Sequence, residues 1–263
     1  VSTMVLSSSA GFESGRGDDS ILNQGQVFST ATSTVNSGAV SVEIAGYGES
    51  TASITGNTFA SGLSGGDGSD TIGNEDTLAV HACSTVDGSN VAVGIAGYSP
   101  AEALVMASAS TVGITGGSRF SPDTGGNDTI YNTGAITVLS EASGTAGSVS
   151  VEILGASAAS ATTWVGAGST GIEGEAGDDV IRNEGDLTAK TKSNLDMNSQ
   201  SVGIIGAAYG NVETHAQATA LGISGGVGSD TIVNTGLIRV GPDTAQQESM
   251  AYAHASNSTW TGL

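Results

Sequence analysis

The sequence repeats itself, and this repeat is the feature that most restricts the fold. The segment "GRGDDSILNQG" at 15–25 returns in altered form as "GDGSDTIGNED", "TGGNDTIYNTG", "EAGDDVIRNEG" and "GVGSDTIVNTG". The Asp that closes each copy falls at Asp19, Asp70, Asp128, Asp179 and Asp230, in steps of 51, 58, 51 and 51 residues. Such a period is typical of a solenoid, whose units cannot bury an apolar face alone and must stack on one another.

Two further positions recur in all five copies. An isoleucine stands two residues after each of these aspartates and an asparagine four residues after it. We expect the isoleucines to form a core column, one residue per coil, and the asparagines to line up at a bend as a hydrogen-bonded ladder. These residues are Ile21, Ile72, Ile130, Ile181 and Ile232, with Asn23, Asn74, Asn132, Asn183 and Asn234.

A second periodicity lies within each repeat. The motifs "VEIAG", "VGIAG", "VEILG" and "VGIIG" are each followed 19 residues later by an apolar residue in a similar setting, as Ile44 is by Leu63. Short alternating segments such as "SVEIAG" indicate strands, while Gly, Asn and Asp supply the bends. The sequence therefore predicts an all-β fold, a parallel β-helix (β-solenoid) of about ten coils with two coils in each repeat of 51 residues. At roughly 4.8 Å per coil this would be a rod about 50 Å long.

One solenoid domain is expected to occupy the whole chain, 1–263, with repeats at about 11–61, 62–112, 113–170, 171–221 and 222–263. Neither end of the sequence carries an obvious polar cap. Uncapped coils expose strand edges that pair readily. We therefore expect the chain to be part of a longer solenoid or the subunit of a filament.

Composition restricts the function. The chain carries 26 acidic residues against 6 Lys and Arg, a formal charge of −20, which argues against nucleic acid as a partner. No run of 18 apolar residues is present to span a membrane, and the single cysteine, Cys83, has no partner for an internal disulfide. So acidic a chain suits a cation-rich medium, and we expect it to be extracellular, secreted or on the cell surface.

Two family resemblances rest on these motifs. The turn Gly225-Gly226-Val227-Gly228-Ser229-Asp230, followed by Thr231-Ile232, resembles the nonapeptide of the repeats-in-toxin (RTX, hemolysin-type) proteins. The segments "DTIVNTGLI" and "DTIYNTGAI" resemble the Ile-x-Asn-x-Gly-x-Ile repeats of bacterial surface β-helix proteins, such as autotransporter passengers and large adhesins. The first resemblance implies secretion and calcium bound between coils. The second implies a stalk, filament or adhesive surface.

Calcium is therefore a candidate cofactor at the acidic turns. With two coils per repeat, successive turns would lie about 9.6 Å apart, too far to share an ion whose ligand bonds are about 2.3 to 2.6 Å long. The alternative is that each aspartate hydrogen-bonds within its own turn. The candidate calcium residues are Asp18, Asp19, Asp70, Asp128, Glu175, Asp178, Asp179 and Asp230.

Two local features could bind something else. Arg16-Gly17-Asp18 matches an adhesion-receptor tripeptide, but Gly17 is itself a repeat position, so chance accounts for the match. The third copy carries seven extra residues in "GGSRFSPDTGGND", the one insertion that is unique to a coil. A localised binding site would include Arg119, Phe120 and Asp123 of this loop.

These observations predict a structural or adhesive solenoid of a bacterial surface fibre, stalk or adhesin. Its expected partners are further copies of itself, stacked end to end, and a cell-surface or glycan ligand. We expect no enzymatic activity, because no catalytic constellation appears. The alternatives are a calcium-binding surface-layer or RTX-type module and a polysaccharide-active β-helix enzyme.

Overall fold

The computed structural model describes residues 1–117, 126–241 and 250–261, and within them every regular element is a β-strand. The predicted all-β parallel β-helix is confirmed: all strand pairs are parallel, and they form two open sheets. The strands are β1 Ser2–Glu13, β2 Ser20–Asn23, β3 Val27–Glu43, β4 Gly46–Tyr47, β5 Ser50–Gly66, β6 Thr71–Asn74, β7 Thr77–Gly117, β8 Thr129–Asn132, β9 Ala135–Glu173, β10 Val180–Asn183, β11 Leu187–Ser224, β12 Thr231–Asn234, β13 Ile238–Val240 and β14 Met250–Thr261.

The pairing register shows that each repeat is one coil. Partners in the named strands lie 51 or 58 residues apart, as in Val27 with Leu78 and Thr77 with Ala135. The expectation of two coils per repeat, and of about ten in all, is therefore wrong. The described residues form five layers, so the stack is about 24 Å high.

One coil consists of a short strand, two long arms and the bend that joins the arms. A short strand such as β2 is followed by an outgoing arm, β3, then by a bend near Gly46, and then by a return arm, β5. In the next three coils the two arms and the bend belong to one long strand, β7, β9 or β11. An arm of 17 residues is about 56 Å long, so the coil is flat and much wider than the stack is high.

The two arms of a coil pack through their inward side chains. Ser33 Oγ on the outgoing arm hydrogen-bonds Thr58 Oγ1 on the return arm of the same coil at 2.7 Å, and Thr111 on the return arm of one coil bonds Ser140 on the outgoing arm of the next at 2.9 Å. Between the turn and the middle of the arms the core is apolar and forms columns along the stack. One column is Leu63, Ile114, Ile172 and Ile223, and another is Leu78, Ile136, Leu187 and Ile238.

The bend explains why the sequence motifs suggested two coils in each repeat of 51 residues. The motif "VGIAG" lies at the bend, whereas its echo 19 residues later lies at the far end of the return arm. Both places turn the chain and both need glycine, so their motifs look alike although they lie at opposite ends of one coil. At the bend Gly46, Gly97, Gly155 and Gly206 all have φ between 119° and 144°. A Cβ on Gly155 would lie 2.0 Å from the carbonyl oxygen of Gly97 in the neighbouring coil.

Insertions do not disturb the register of the arms. The offset of 58 between β7 and β9 accommodates the seven extra residues between Gly117 and Gly126. The last coil behaves in the same way: β13 pairs with β11 at an offset of 51 and β14 pairs with it at an offset of 58. The register of the arms is therefore set by stacking rather than by the length of the connections.

We predict that Gly155→Ala lowers the free energy of unfolding by more than about 2 kcal/mol, because the new methyl group meets a backbone oxygen at a φ that favours glycine. Chemical denaturation measures the change. Gly147→Ala is the control, since a Cβ there meets nothing closer than 3.9 Å, and it should change stability by no more than about 0.5 kcal/mol. Equal losses in the two variants would contradict this account of the bend.

Candidate functional site: the stacked turn ladders

The repeated motif forms the turn between the return arm and the short strand. Each turn lies directly above the next one, so equivalent residues of consecutive coils are in contact along the stack. The short strands place Ile72, Ile130 and Ile181 in the core with no exposed surface. Ile21 and Ile232 continue this column into the first and last layers, where Ile232 is half exposed.

The asparagines form a continuous ladder. Nδ2 of each asparagine donates to Oδ1 of its equivalent in the next coil, and all four of these bonds are 2.7 Å long. The same Nδ2 also donates to a carbonyl oxygen two residues further along its own chain in Asn74, Asn132, Asn183 and Asn234. Each inner amide therefore uses both N–H groups and its oxygen while fully buried, which is the arrangement that stabilises a polar column.

The aspartates four residues earlier form a second ladder. Oδ1 of Asp70 accepts from the backbone N–H of Asp19 at 2.7 Å, and Asp128 accepts from Asp70 in the same way. Asp179 and Asp230 continue the series at 2.8 and 3.1 Å. These carboxylates accept from turn N–H groups of the neighbouring coil, and not from their own turn as the hydrogen-bonding alternative expected.

A third ladder runs in the opposite direction through the residue before each aspartate. Here the side chain of one coil accepts from the N–H of the following coil at 2.8 to 3.0 Å. The members are Asp18, Ser69, Asn127, Asp178 and Ser229. Our sequence analysis missed this ladder apart from the two acids. Its signal was chemical, because every copy carries a short side chain with an accepting oxygen at this position.

Glycines make room for the buried carboxylates. A Cβ on Gly65, Gly116, Gly174 or Gly225 would lie 2.1 to 2.4 Å from Oδ2 of the aspartate in the same turn. These glycines are the first of the Gly-Gly pairs or their equivalents. The turn motif therefore pairs each inward aspartate with a residue that has no side chain.

The second carboxylate oxygen has no hydrogen-bond partner. Oδ2 is buried and unpartnered in Asp19, Asp70, Asp128 and Asp179. Desolvation by burial raises the pKa of Asp70 and Asp179, and the neighbouring aspartates of the stack raise it further, against the opposing effect of the N–H bond. The same causes raise the pKa of Asp128 to about 7.

The candidate calcium residues do not come together as a ligand set. Among residues 1–117, 126–241 and 250–261, no three Asp, Glu, His or Cys side chains are grouped to hold a metal ion. Successive turns are on consecutive coils, about 4.8 Å apart rather than 9.6 Å, but the Oδ1 atoms accept N–H bonds. Glu175 has a φ of 79° where the equivalent Gly66 and Gly226 have 96°, and its carboxylate accepts from Thr115 Oγ1 at 3.2 Å.

The structure adds little support for the other two candidate sites, the Arg16-Gly17-Asp18 tripeptide and the insertion in the third copy. Arg16 forms an exposed ion pair with Asp67 at 3.4 Å, and Asp18 belongs to the third ladder, so the tripeptide is part of the repeat geometry. Arg119, Phe120 and Asp123 lie outside the described residues.

A shallow pocket lies on the outer surface of the outgoing arms. Cys83, Glu141 and Lys192 occupy one column of consecutive coils and line a pocket of about 150 Å³. His81 contacts Glu141 beside it at 3.2 Å. This pocket is smaller than the roughly 300 to 1,000 Å³ of ordinary small-molecule sites and has little room for a sugar chain.

The described residues include no helix that is long and apolar enough to cross a membrane. Comparisons with family models, with curated proteins and with solved structures found no significant match.

We predict that Asn132→Asp destabilises the fold by about 3 kcal/mol or more, because a carboxylate cannot replace the two bonds that Nδ2 donates to Asn183 and Gly134. Asn127→Asp is the matched control, since this side chain only accepts a bond and two other coils carry Asp there. Urea denaturation compares the two variants. A comparable loss in both would mean that the amide ladder has no special role.

The stability of the fold should depend on pH through the inward aspartates. The pKa of Asp128 in the folded chain, about 7, lies above its ordinary value of 3.8, so the folded state binds more protons between these limits. The free energy of unfolding should therefore fall as pH rises from about 4 to about 7. Asp128→Asn keeps the accepting oxygen and should flatten this profile, whereas Asp87→Asn on the exposed surface should leave it unchanged. A profile that Asp128→Asn does not alter would contradict the assignment.

Proposed function

We propose that this chain is a structural or adhesive β-solenoid of a bacterial cell surface, part of a fibre, stalk or adhesin, whose coils continue by stacking end to end. The observation that carries the proposal is the set of three ladders. They join every pair of consecutive turns through side chains that are identical or chemically equivalent from coil to coil.

The outermost layers present the same groups as the inner ones. Asn234 in the last layer has the same geometry toward its own turn as Asn183, and Ile232 of this layer is about half exposed although its equivalent Ile181 is fully buried. A further coil in register would bury these side chains and extend the ladders. That coil could be supplied by a second copy or by a neighbouring part of a longer chain.

The charge and the surface support an extracellular location. A formal charge of −20 with only six Lys and Arg favours solubility and disfavours contact with other polyanions. The outward positions in the middle of the outgoing arms form polar columns such as Thr34, Thr85, Ser143 and Asn194. Broad, flat faces of this kind suit contact with an extended ligand such as a glycan better than with a small substrate.

Electron microscopy of the purified chain, with millimolar calcium and again with chelator, tests end-to-end stacking. We expect rods longer than one chain in both conditions, because the ladders are made of hydrogen bonds among side chains and backbone N–H groups. The variant Ile232→Lys places a charge on the last layer and should shorten or abolish the rods. Val180→Lys is the control, because Val180 has the same exposure of 46% but faces outward from an inner coil.

Each result has a definite meaning. Isolated single chains in both conditions would refute stacking of this chain on its own copies. Rods that form only with calcium would favour the calcium-binding surface-layer or RTX-type module instead. Rods that Val180→Lys disrupts as strongly as Ile232→Lys would show that the coil ends are not the contact.

A further inference from the structure

The usual distribution of apolar and polar residues is reversed beside the bend. Over the last residues of the outgoing arm in the first coil, Val40, Val42 and Ile44 point outward while Ser41 and Glu43 point inward. Over the first half of the same arm the order is the ordinary one, with Val27, Ala31 and Val35 buried. A strand that exposes its apolar side and buries its polar side is a defect unless another surface covers it.

The outward apolar side of this segment recurs in every complete coil. Near the end of the outgoing arm, one outward position forms a column of valines, Val42, Val93, Val151 and Val202. Two residues further on, and closer to the bend, the next outward position forms a column of isoleucines, Ile44, Ile95, Ile153 and Ile204. We call these two columns the bend ridge.

The inward residues cannot exchange places with the ridge. Glu152 is 1% exposed, and its Oε2 accepts from Ser99 Oγ at 2.6 Å inside the coil. This carboxylate occupies space that Gly94 leaves free in the neighbouring coil, where a Cβ would lie 2.0 Å from Oε2. The bend glycines and the turn ladders fix the register, so a slip of one residue that would bury the ridge is blocked.

The ridge is exposed and uncharged. The four isoleucines are 41 to 71% exposed and Val42 is 71% exposed, whereas Val93, Val151 and Val202 are partly buried. No charged residue occupies either column or the adjoining outward positions 40, 91, 149 and 200. With the flanking Val40, Leu154 and Ile205, the ridge presents on the order of 900 Å² of apolar surface, more than the roughly 300 to 600 Å² of the largest patch on a typical monomer.

We propose that the bend ridge is the interface with a second copy of this chain. The area matches the roughly 800 Å² that each partner buries in a stable protein complex. Two copies that carry a charge of −20 can approach only through an uncharged face, and the ridge is such a face. A second copy also has rows of side chains at the same spacing of about 4.8 Å, so the two ridges interdigitate row by row in a two-fold arrangement.

This contact joins stacks side by side and does not depend on the end-to-end stacking proposed above. Sedimentation velocity over a wide concentration range, with millimolar chelator, tests it in the full chain. We expect the wild type to associate through the ridge in addition to stacking end to end, and we expect Ile232→Lys, in which stacking is blocked, to form a reversible dimer. The variants below are therefore made in both backgrounds. We expect Val93→Thr/Ile95→Thr to raise the dimer dissociation constant by more than about tenfold, since threonine keeps the strand preference but leaves polar groups in the interface.

The control is Leu104→Thr/Met106→Thr in the same coil. These side chains are 38 and 39% exposed on the outer face of the return arm, away from the ridge. The control should dimerise like the wild type. Circular dichroism and thermal melting of both variants show whether a change in association comes from loss of the fold.

A cross-linking series separates side-by-side from end-to-end contact. Single cysteines are placed at Ile44, Ile95 or Ile153 in a Cys83→Ser background, with Met106→Cys as the control. At least one ridge cysteine should form a disulfide between two copies on mild oxidation, and Met106→Cys should not. A wild type that remains monomeric would overturn the proposal. It would do so even if the ridge bound lipid vesicles, because the occupant would then be a lipid surface and not a second copy. Dimers or rods without a cross-link at any ridge position would also overturn it, and so would dimerisation that the ridge and control variants weaken equally.

Discussion

In the strands that the structure describes, residues lie against their own equivalents in the next coil, about 4.8 Å away, and the rest of the structure depends on this constraint. A side chain that both donates and accepts hydrogen bonds can stack on its own equivalent, as the asparagine ladder shows. A carboxylate does not, because it accepts only and repels its neighbours. The inward aspartates therefore accept from backbone N–H groups, and burial together with the neighbouring carboxylates raises the pKa of Asp128.

The same constraint explains the two classes of required glycine. At the bend, a side chain on Gly155 would meet the backbone of the coil below it. At the turn, Gly116 leaves space for the carboxylate of Asp128. The inward glutamates use a third solution, in which bulky and absent side chains alternate from coil to coil through Glu43, Gly94, Glu152 and Gly203. A glutamate in each coil would have no room.

The sequence was sufficient to predict the parallel solenoid and the positions of the asparagine and isoleucine columns, because a fixed period and a stacked fold impose the same pattern. It was not sufficient for the number of coils. Leu63 and Ile44 look alike in sequence because each stands beside a glycine where the chain turns, yet Leu63 is in the core and Ile44 is exposed at the bend. Only the pairing register distinguishes one long coil from two short ones. The reversed pattern at the bend was equally hidden, since alternation shows two faces of a strand but not which of them is inward.

The asparagine ladder also gives the stack a direction. Each amide donates toward the coil that follows it in the chain, from Asn23 to Asn234, so all the amide dipoles point the same way. The first layer thus has a different hydrogen-bonding complement from the last layer, and coils can join only head to tail. Any fibre built by this rule is polar, with two chemically distinct tips, and contact between its subunits is heterologous and open rather than closed. Such a fibre can be anchored at one tip and grow or adhere at the other.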